Sequence, residues 1–404
     1  MFSNHLKTAN QHEKKNLLIL LLIGGLYTLG IFLSNIFVNI FLWKQSGEIS
    51  VLTIYNVSIY LTQTISYIII GKYVKKIDRV IILRVGILII SIFFMTVLLL
   101  GDQASNYHFI LGVILGAGYG LFWLAYNILV FEVTEPNTRD FFNSMFGVLQ
   151  SFSGMIGPLF SGAIITVLTG NKGYLTIFFI SFLLFFIAVI CSSFLARRKT
   201  EGEYHIREAI KERKRNKKWK YILNAHFFQG FREGVFLFLV GIWVFINVQS
   251  EWVVGVYNFI YALCSFIGYQ IVAKFVKVQN RRIFIITGSI FLYAGVFWLL
   301  VSTEPFHFYL YSVIIGSFLP LFFAPYSSIS YDVIGQAKNA KEYRVEYVIL
   351  RDIILNSGRT ISLIVFFAGL FLFQDELWMK YGLILFGAGY LVTSYYIHLI
   401  TKTN

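Results

Sequence analysis

Two stretches of the chain place charged side chains where water is scarce. In "AHFFQGFREGVFLFLVG" (225–241) Arg232 and Glu233 interrupt an apolar run, and in "LRDIILNSGRT" (350–360) Arg351, Asp352, Asn356 and Arg359 interrupt another. A charge at the centre of a bilayer costs from ~2.5 kcal/mol upward, so such groups persist when they are paired, wetted or at work. Two chemistries fit these residue types. Glu233 is a candidate proton carrier, and Arg232 and Arg359 are candidates to hold a carboxylate or phosphate through their planar forks. On helical spacing Asp352, Asn356 and Arg359 share one face, Gln229 stands one turn before Glu233, and Arg232 points about 100° away from Glu233. Counted from helix entries near 221 and 346, Glu233 and Arg359 both lie roughly 18–20 Å deep. Glu233 is therefore expected to pair with Arg359, with Arg232 facing a cavity or Asp352.

The surroundings explain why water is scarce. Of the 404 residues 57% are hydrophobic and only 13% charged, against roughly 25% charged in soluble domains. Polar breaks divide the chain into twelve apolar runs near 17–42, 51–71, 82–100, 107–131, 142–168, 173–195, 221–246, 252–273, 283–302, 307–331, 346–372 and 378–399, each close to the ~20 residues that cross a bilayer as a helix. The expected class is an all-α integral membrane protein. A formal charge of +14 does not point to nucleic acid, because of where it sits. Apart from Arg232, Arg351 and Arg359, only Lys44, Lys172 and Lys380 fall in or beside odd-numbered connections; the other 28 basic residues lie at the termini or in or beside even-numbered ones. That asymmetry predicts cytoplasmic termini and a cell-membrane location. The basic stretch 196–220 is expected to be a cytoplasmic linker between residues 1–195 and 221–404, partly an amphipathic helix on the membrane surface. Cys191 and Cys264 lie in apolar runs and the seven histidines have no metal-ligand spacing, so no metal, cofactor or enzymatic centre is expected.

Further polar residues recur at helical spacing. Span 2 carries Asn56, Tyr60, Gln63 and Tyr67 in one stripe, suited either to line a cavity or to bond the two halves together. Span 4 places Gly112, Gly116 and Gly120 four apart, then Trp123, Tyr126 and Asn127, which are candidates for a cavity wall, as is Tyr326. Span 10 holds Pro320 and Pro325 and is expected to bend or break.

The chain also repeats itself. Residues 54–88 align without a gap on 256–290, with 12 of 35 positions identical, among them Tyr55-Asn56 with Tyr257-Asn258, Tyr67 with Tyr269 and Lys72 with Lys274. Residues 116–133 align on 316–333, matching Gly116 with Gly316, Tyr126 with Tyr326 and Glu132 with Asp332. Two six-helix halves of parallel topology follow. This architecture resembles the major facilitator superfamily across the whole chain. "GKYVKKIDR" (71–79) is similar to that family's loop motif through Gly71 and Arg79, although Lys75 stands where the family has an aspartate, with Asp78 a candidate to replace its contact. "FEVTEPNTRD" (131–140) is similar to its acidic-then-arginine connection, and Gly154, Gly157, Pro158 and Gly162 resemble part of the Gly-Pro motif of its exporters. The resemblance implies pseudo-two-fold halves, with spans 1, 4, 7 and 10 around a cavity and spans 2, 5, 8 and 11 between the halves. Glu132 with Arg139, and Asp332 with Arg344, are candidate gate contacts. The function expected is secondary transport by a monomer, export of a small or amphipathic solute coupled to protons or another ion. The alternatives are a lipid or lipid-linked glycan flippase and a non-transporting scaffold.

Overall fold

A computed structural model describes residues 11–134, 136–168, 170–196, 203–340 and 342–402; the side chain of Arg139 lies outside the described residues. In lipid only a helix satisfies its backbone within one segment, and the apolar runs all become helices. The first half contains α1 (Gln11–Ser46), α2 (Ile49–Gly71), α3 (Arg79–Leu100), α4 (His108–Val133), α5 (Pro136–Val167) and α6 (Lys172–Ser192), with a 3-10 turn at Gly101–Tyr107 joining α3 to α4. A short α7 (Ile206–Arg215) precedes α8 (Lys217–Val248), α9 (Glu251–Phe275), α10 (Arg281–Leu299), α11 (Pro305–Gly335) and α12 (Arg344–Leu370). The twelfth crossing is split into α13 (Asp375–Gly387) and α14 (Gly389–Lys402).

Span 10, expected to bend or break, is not broken. Helix α11 runs on through Pro320 and Pro325, and the interruption falls in span 12, at Ala388 between Gly387 and Gly389. A Cβ at Gly389 would lie 2.6 Å from the carbonyl of Phe228 and 2.8 Å from Arg232 Cβ. Glycine there lets the broken helix press directly on α8.

The sequence repeat is a structural repeat. Gly86 packs on the Phe122 amide and its counterpart Gly288 on the Phe322 amide, where a Cβ would approach to 2.6 and 2.8 Å. Gly112, Gly116 and Gly120 pack α4 onto α2 at Tyr55, Ile59 and Ser66. Arg79 meets Glu132 at 3.2 Å and Arg281 meets Asp332 at 2.8 Å, the same pair in each half. Asp332 thus takes an ion pair from Arg281 and Glu132 one from Arg79, while the expected pairing of Glu132 with Arg139 lies outside the described residues. Each pair ties the third helix of its half to the fourth, a contact within a half and not a gate between halves. Asp78 caps α3 by accepting from the Val80 amide at 2.8 Å.

The halves meet along α2 with α12 and α5 with α9. In the second contact Gly162 faces the Glu251 carbonyl and Gly255 faces that of Pro158, each leaving a Cβ only 2.7 Å. Gly154 lies 3.5 Å from Ala262 on the same measure, whereas Gly157 packs on Phe32 of α1. Two ion pairs join the halves at opposite faces. On the face that carries the linker, Lys75 reaches the fully buried Glu346 at 2.6 Å. Lys75 also donates to the Glu203 carbonyl at 2.9 Å, and Glu346 accepts from the His205 amide at 3.0 Å. Burial and the Glu346 carboxylate push the Tyr204 hydroxyl up to about 12, so it remains a neutral phenol beside Gly71. On the other face Glu251 accepts from Lys44 at 2.9 Å and from Tyr174 at 2.7 Å. Helix α7 buries Ala209 and Glu212 and accepts a bond from the Trp219 indole at the Ala209 carbonyl, so its inner side is packed on the bundle.

Candidate substrate site

Glycine brings the two charged stretches together. At the crossing of α8 and α12, Gly230 lies against the Leu355 carbonyl, Gly358 against that of Phe227 and Gly234 against that of Arg359, with no room for a Cβ at any of them. Small residues let helix backbones approach this closely, and the approach sets Glu233 against Arg359. Arg359 donates to Glu233 Oε2 from Nη2 at 2.5 Å and from Nε at 3.1 Å, and from Nη1 to Asn356 at 3.0 Å. Glu233 Oε1 accepts from Gln229 at 2.8 Å and from Tyr390 at 3.4 Å. The network continues through Gln229 Oε1 to His226 Nδ1 at 2.9 Å, and from His226 Nε2 to Ser330 at 2.8 Å. Arg359 also stands over the ring of Tyr60, 5.2 Å from its centroid, so the network touches the first half.

Arg232 is held differently. Asp352 is occupied by its neighbour Arg351, at 2.7 Å from Nη2 and 2.8 Å from Nε, so of the two expected positions Arg232 takes the cavity. Its guanidinium lies between the rings of Phe236 and Tyr390, 4.1 Å from each centroid. It is 7% exposed, and its Nε has no hydrogen-bond partner. The cavity beside it has a volume of about 290 Å³ and is walled by α8, α9, α10, α11 and α14, with Ile36 from the first half. Glu233, Tyr257, Asn258, Tyr261 and Tyr311 also line it. Among the described residues no group of His, Cys, Asp and Glu is arranged to hold a metal ion.

Residues 20–342 match the family model described as Major Facilitator Superfamily. The chain belongs to the major facilitator superfamily. It is also 43% identical over 383 residues to the uncharacterized protein YqgE of Bacillus subtilis (strain 168), covering 95% of this chain and 89% of that protein. An uncharacterized protein encoded in the sodM 3' region of Geobacillus stearothermophilus is 51% identical over 171 residues, covering 42% of this chain and 80% of that one. Among solved structures, the fold is similar to that of a bacterial homologue of the iron transporter ferroportin in an outward-facing state with soaked iron, at TM-score 0.66 and 14% identity over 96% of this chain and 99% of that one. It is also similar to the human organic anion transporter MFSD10, at 0.68 and 11% over 95% and 99%, and to the Escherichia coli fucose:proton symporter FucP, at 0.64 and 12% over 95% and 98%. At these identities the structures establish the fold.

This superfamily member distributes the expected wall residues unevenly. Trp123, Tyr126 and Asn127 line a second cavity of about 380 Å³, together with Tyr331, Arg344 and Arg351, towards the linker face. Three residues of the span 2 stripe take the packing alternative, and Tyr326, expected at a cavity wall, is packed as well. Asn56 donates to Asn39 at 2.8 Å, Gln63 and Tyr67 are buried in the helix that packs on α12, and Tyr326 is buried against His226 at 5.0 Å. Tyr257, Asn258 and Tyr269, the second-half counterparts of Tyr55, Asn56 and Tyr67, line the cavity beside Arg232. In the first half Tyr27 is stacked on Phe122 at 3.8 Å and edge-on to Trp123 at 5.3 Å. His226, Tyr311 and Tyr390 join the site without having been singled out in the sequence. His226 is readable in retrospect, three residues before Gln229 and seven before Glu233 on the same helical face.

Proposed function

We propose that this chain is a secondary active transporter that works by alternating access and exports a small or amphipathic solute in exchange for protons, with Glu233 as the proton carrier. The observation that carries this reading is the position of Glu233. Its carboxylate forms part of a mid-helix cavity wall, and its ion-pair partner Arg359 belongs to α12, which packs across the half interface onto α2. Protonating Glu233 removes the charge that holds Arg359 and frees that arginine from its place over Tyr60. Proton binding at the cavity would thus loosen a contact between the halves, the link that coupling requires. The same substituents support Gln229, Asn356 and Tyr390 as positioning residues, since each bonds Glu233 or Arg359.

Export is inferred from the Gly157, Pro158 and Gly162 motif of α5, which resembles that of exporters and meets the other half at Pro158 and Gly162. The linker and both termini are taken as cytoplasmic and the membrane as the cell membrane, from the distribution of basic residues. A monomer suffices because one chain walls the whole cavity. The solved neighbours are a homologue of an iron transporter, an organic anion transporter and a fucose:proton symporter, so they favour transport without choosing a cargo. A flippase draws less support, because about 290 Å³ lies at the small end of the ~300–1,000 Å³ typical of small-molecule sites. The test is solute-driven proton movement in pyranine-loaded proteoliposomes, across a set of small amphipathic solutes. The native chain is expected to move protons and Glu233→Gln to lose that movement; equal proton movement by the two would end the coupling assignment.

A further inference from the structure

We infer that the cavity beside Arg232 binds a small amphipathic monoanion, its carboxylate or similar head on Arg232 and its apolar body against the tyrosine-rich wall. The inference rests on the transport reading for its biological sense and on the geometry of the cavity for its chemistry. The first argument is a balance of charge. Away from the helix ends, the second half sets the buried Arg232 and the half-buried Arg351 and Arg359 against the buried Glu233 and Asp352. Arg359 is matched by Glu233 and Arg351 by Asp352. One positive charge is left over among these five, and it is the one at the cavity. In surroundings of low polarity an uncompensated charge is costly, and a bound monoanion supplies the missing partner. A dianion would overshoot, and a cation would add to the excess.

The second argument is geometric. Phe236 and Tyr390 cover the two faces of the Arg232 guanidinium, so its donors are available only at its edge. A guanidinium edge matches a carboxylate or phosphate fork. Its buried Nε is unpartnered, and so is the hydroxyl of Tyr311, another residue of the same wall. Buried polar atoms are ordinarily bonded, and both of these belong to residues of one cavity wall, which marks that part of the wall as the polar end for a ligand. The rest of the wall, including Leu237, Val240, Leu319 and Phe323, is apolar. The volume of about 290 Å³ limits the guest to a compact body.

The test uses the purified full-length protein in nanodiscs, with binding read by calorimetry and by thermal shift. The probes are phenylacetate and octanoate, with phenylacetamide and phenethylamine as neutral and cationic counterparts of the first. At least one carboxylate is expected to bind and raise the melting temperature, and the amide and amine to bind at least about tenfold more weakly, in keeping with a charge-assisted bond. Arg232→Gln is expected to lower the carboxylate affinity by a similar factor, and Tyr311→Phe by severalfold. Should Arg232→Gln fail to fold, Arg232→Lys keeps the charge but not the fork and is expected to lose affinity as well. Binding of neither carboxylate by the native chain, equal binding of acid, amide and amine, or unchanged affinity in the folded variants would each overturn the inference. Because no gradient is used, a charge-selective site without solute-driven proton movement would defeat the transport reading and leave this one standing.

Discussion

Arg359 grips a single oxygen of Glu233 with two donors, 2.5 Å from Nη2 and 3.1 Å from Nε, while Gln229 holds the other oxygen at 2.8 Å. The carboxylate is therefore saturated, and losing either charge strands the other in a buried place. Removing one member of a buried pair costs on the order of 3–5 kcal/mol. Glu233→Arg and Arg359→Glu singly are expected to lower the melting temperature of the purified protein sharply, and the double exchange to recover much of the loss. Absence of recovery would show that the pair is not what stabilises the crossing.

The pair depends on how closely two backbones approach. Gly358 faces the Phe227 carbonyl with no space for a methyl group. Gly358→Ala is expected to push α12 away from α8 and to cost ~1–3 kcal/mol, as overpacking does. Thermal unfolding would register it, and solute-driven proton movement should fall with it because the ion pair lengthens.

Lys75 and Glu346 offer a charge exchange at the linker face. Glu346 is fully buried and Lys75 only 10% exposed in its side chain, so Lys75→Glu should set two carboxylates together and open that face. The measurable outcome is faster labelling of a cysteine introduced at the buried Val348, in the cavity on that side. Adding Glu346→Lys should restore slow labelling.

The repeated pair provides an internal comparison. Arg79 is 9% exposed in its side chain where it meets Glu132, whereas Asp332 is 57% exposed where it meets Arg281. Exposed pairs are worth ~0–1 kcal/mol. Arg281→Ala should thus scarcely change the melting temperature and Arg79→Ala should lower it visibly. The reverse order would mean that exposure does not govern these two contacts.

The fold was legible because a bilayer leaves so few ways to satisfy a backbone: run lengths located the crossings, and the repeat at Tyr55-Asn56 and Tyr257-Asn258 disclosed the two halves. The pairing of Glu233 with Arg359 was legible because equal depth and helical facing are simple arithmetic. What escaped were features set by approach between helices. Gly230, Gly234 and Gly358 look like ordinary membrane glycines until two helices are crossed, and the break at Ala388 is flanked by glycines without a proline to announce it. Prolines drew attention to α11, yet its neighbours tolerate them in an unbroken helix. The stripe of α2 could not be divided in advance between wall and packing, because that depends on what the first half uses to fill its own interior.

The single excess charge beside the cavity also has an electrical consequence. An empty carrier that turns a net positive site from one face towards the other moves charge through the membrane field, at about 2.3 kcal/mol per 100 mV for a full crossing. With Glu233 protonated for the return leg of the proposed exchange, a negative interior would draw the guest-free form towards the cytoplasm, ready to be loaded from that side. Once Arg232 is neutralised by its guest, the loaded form turns without feeling the voltage. The resting potential would then act as a return spring for the empty protein.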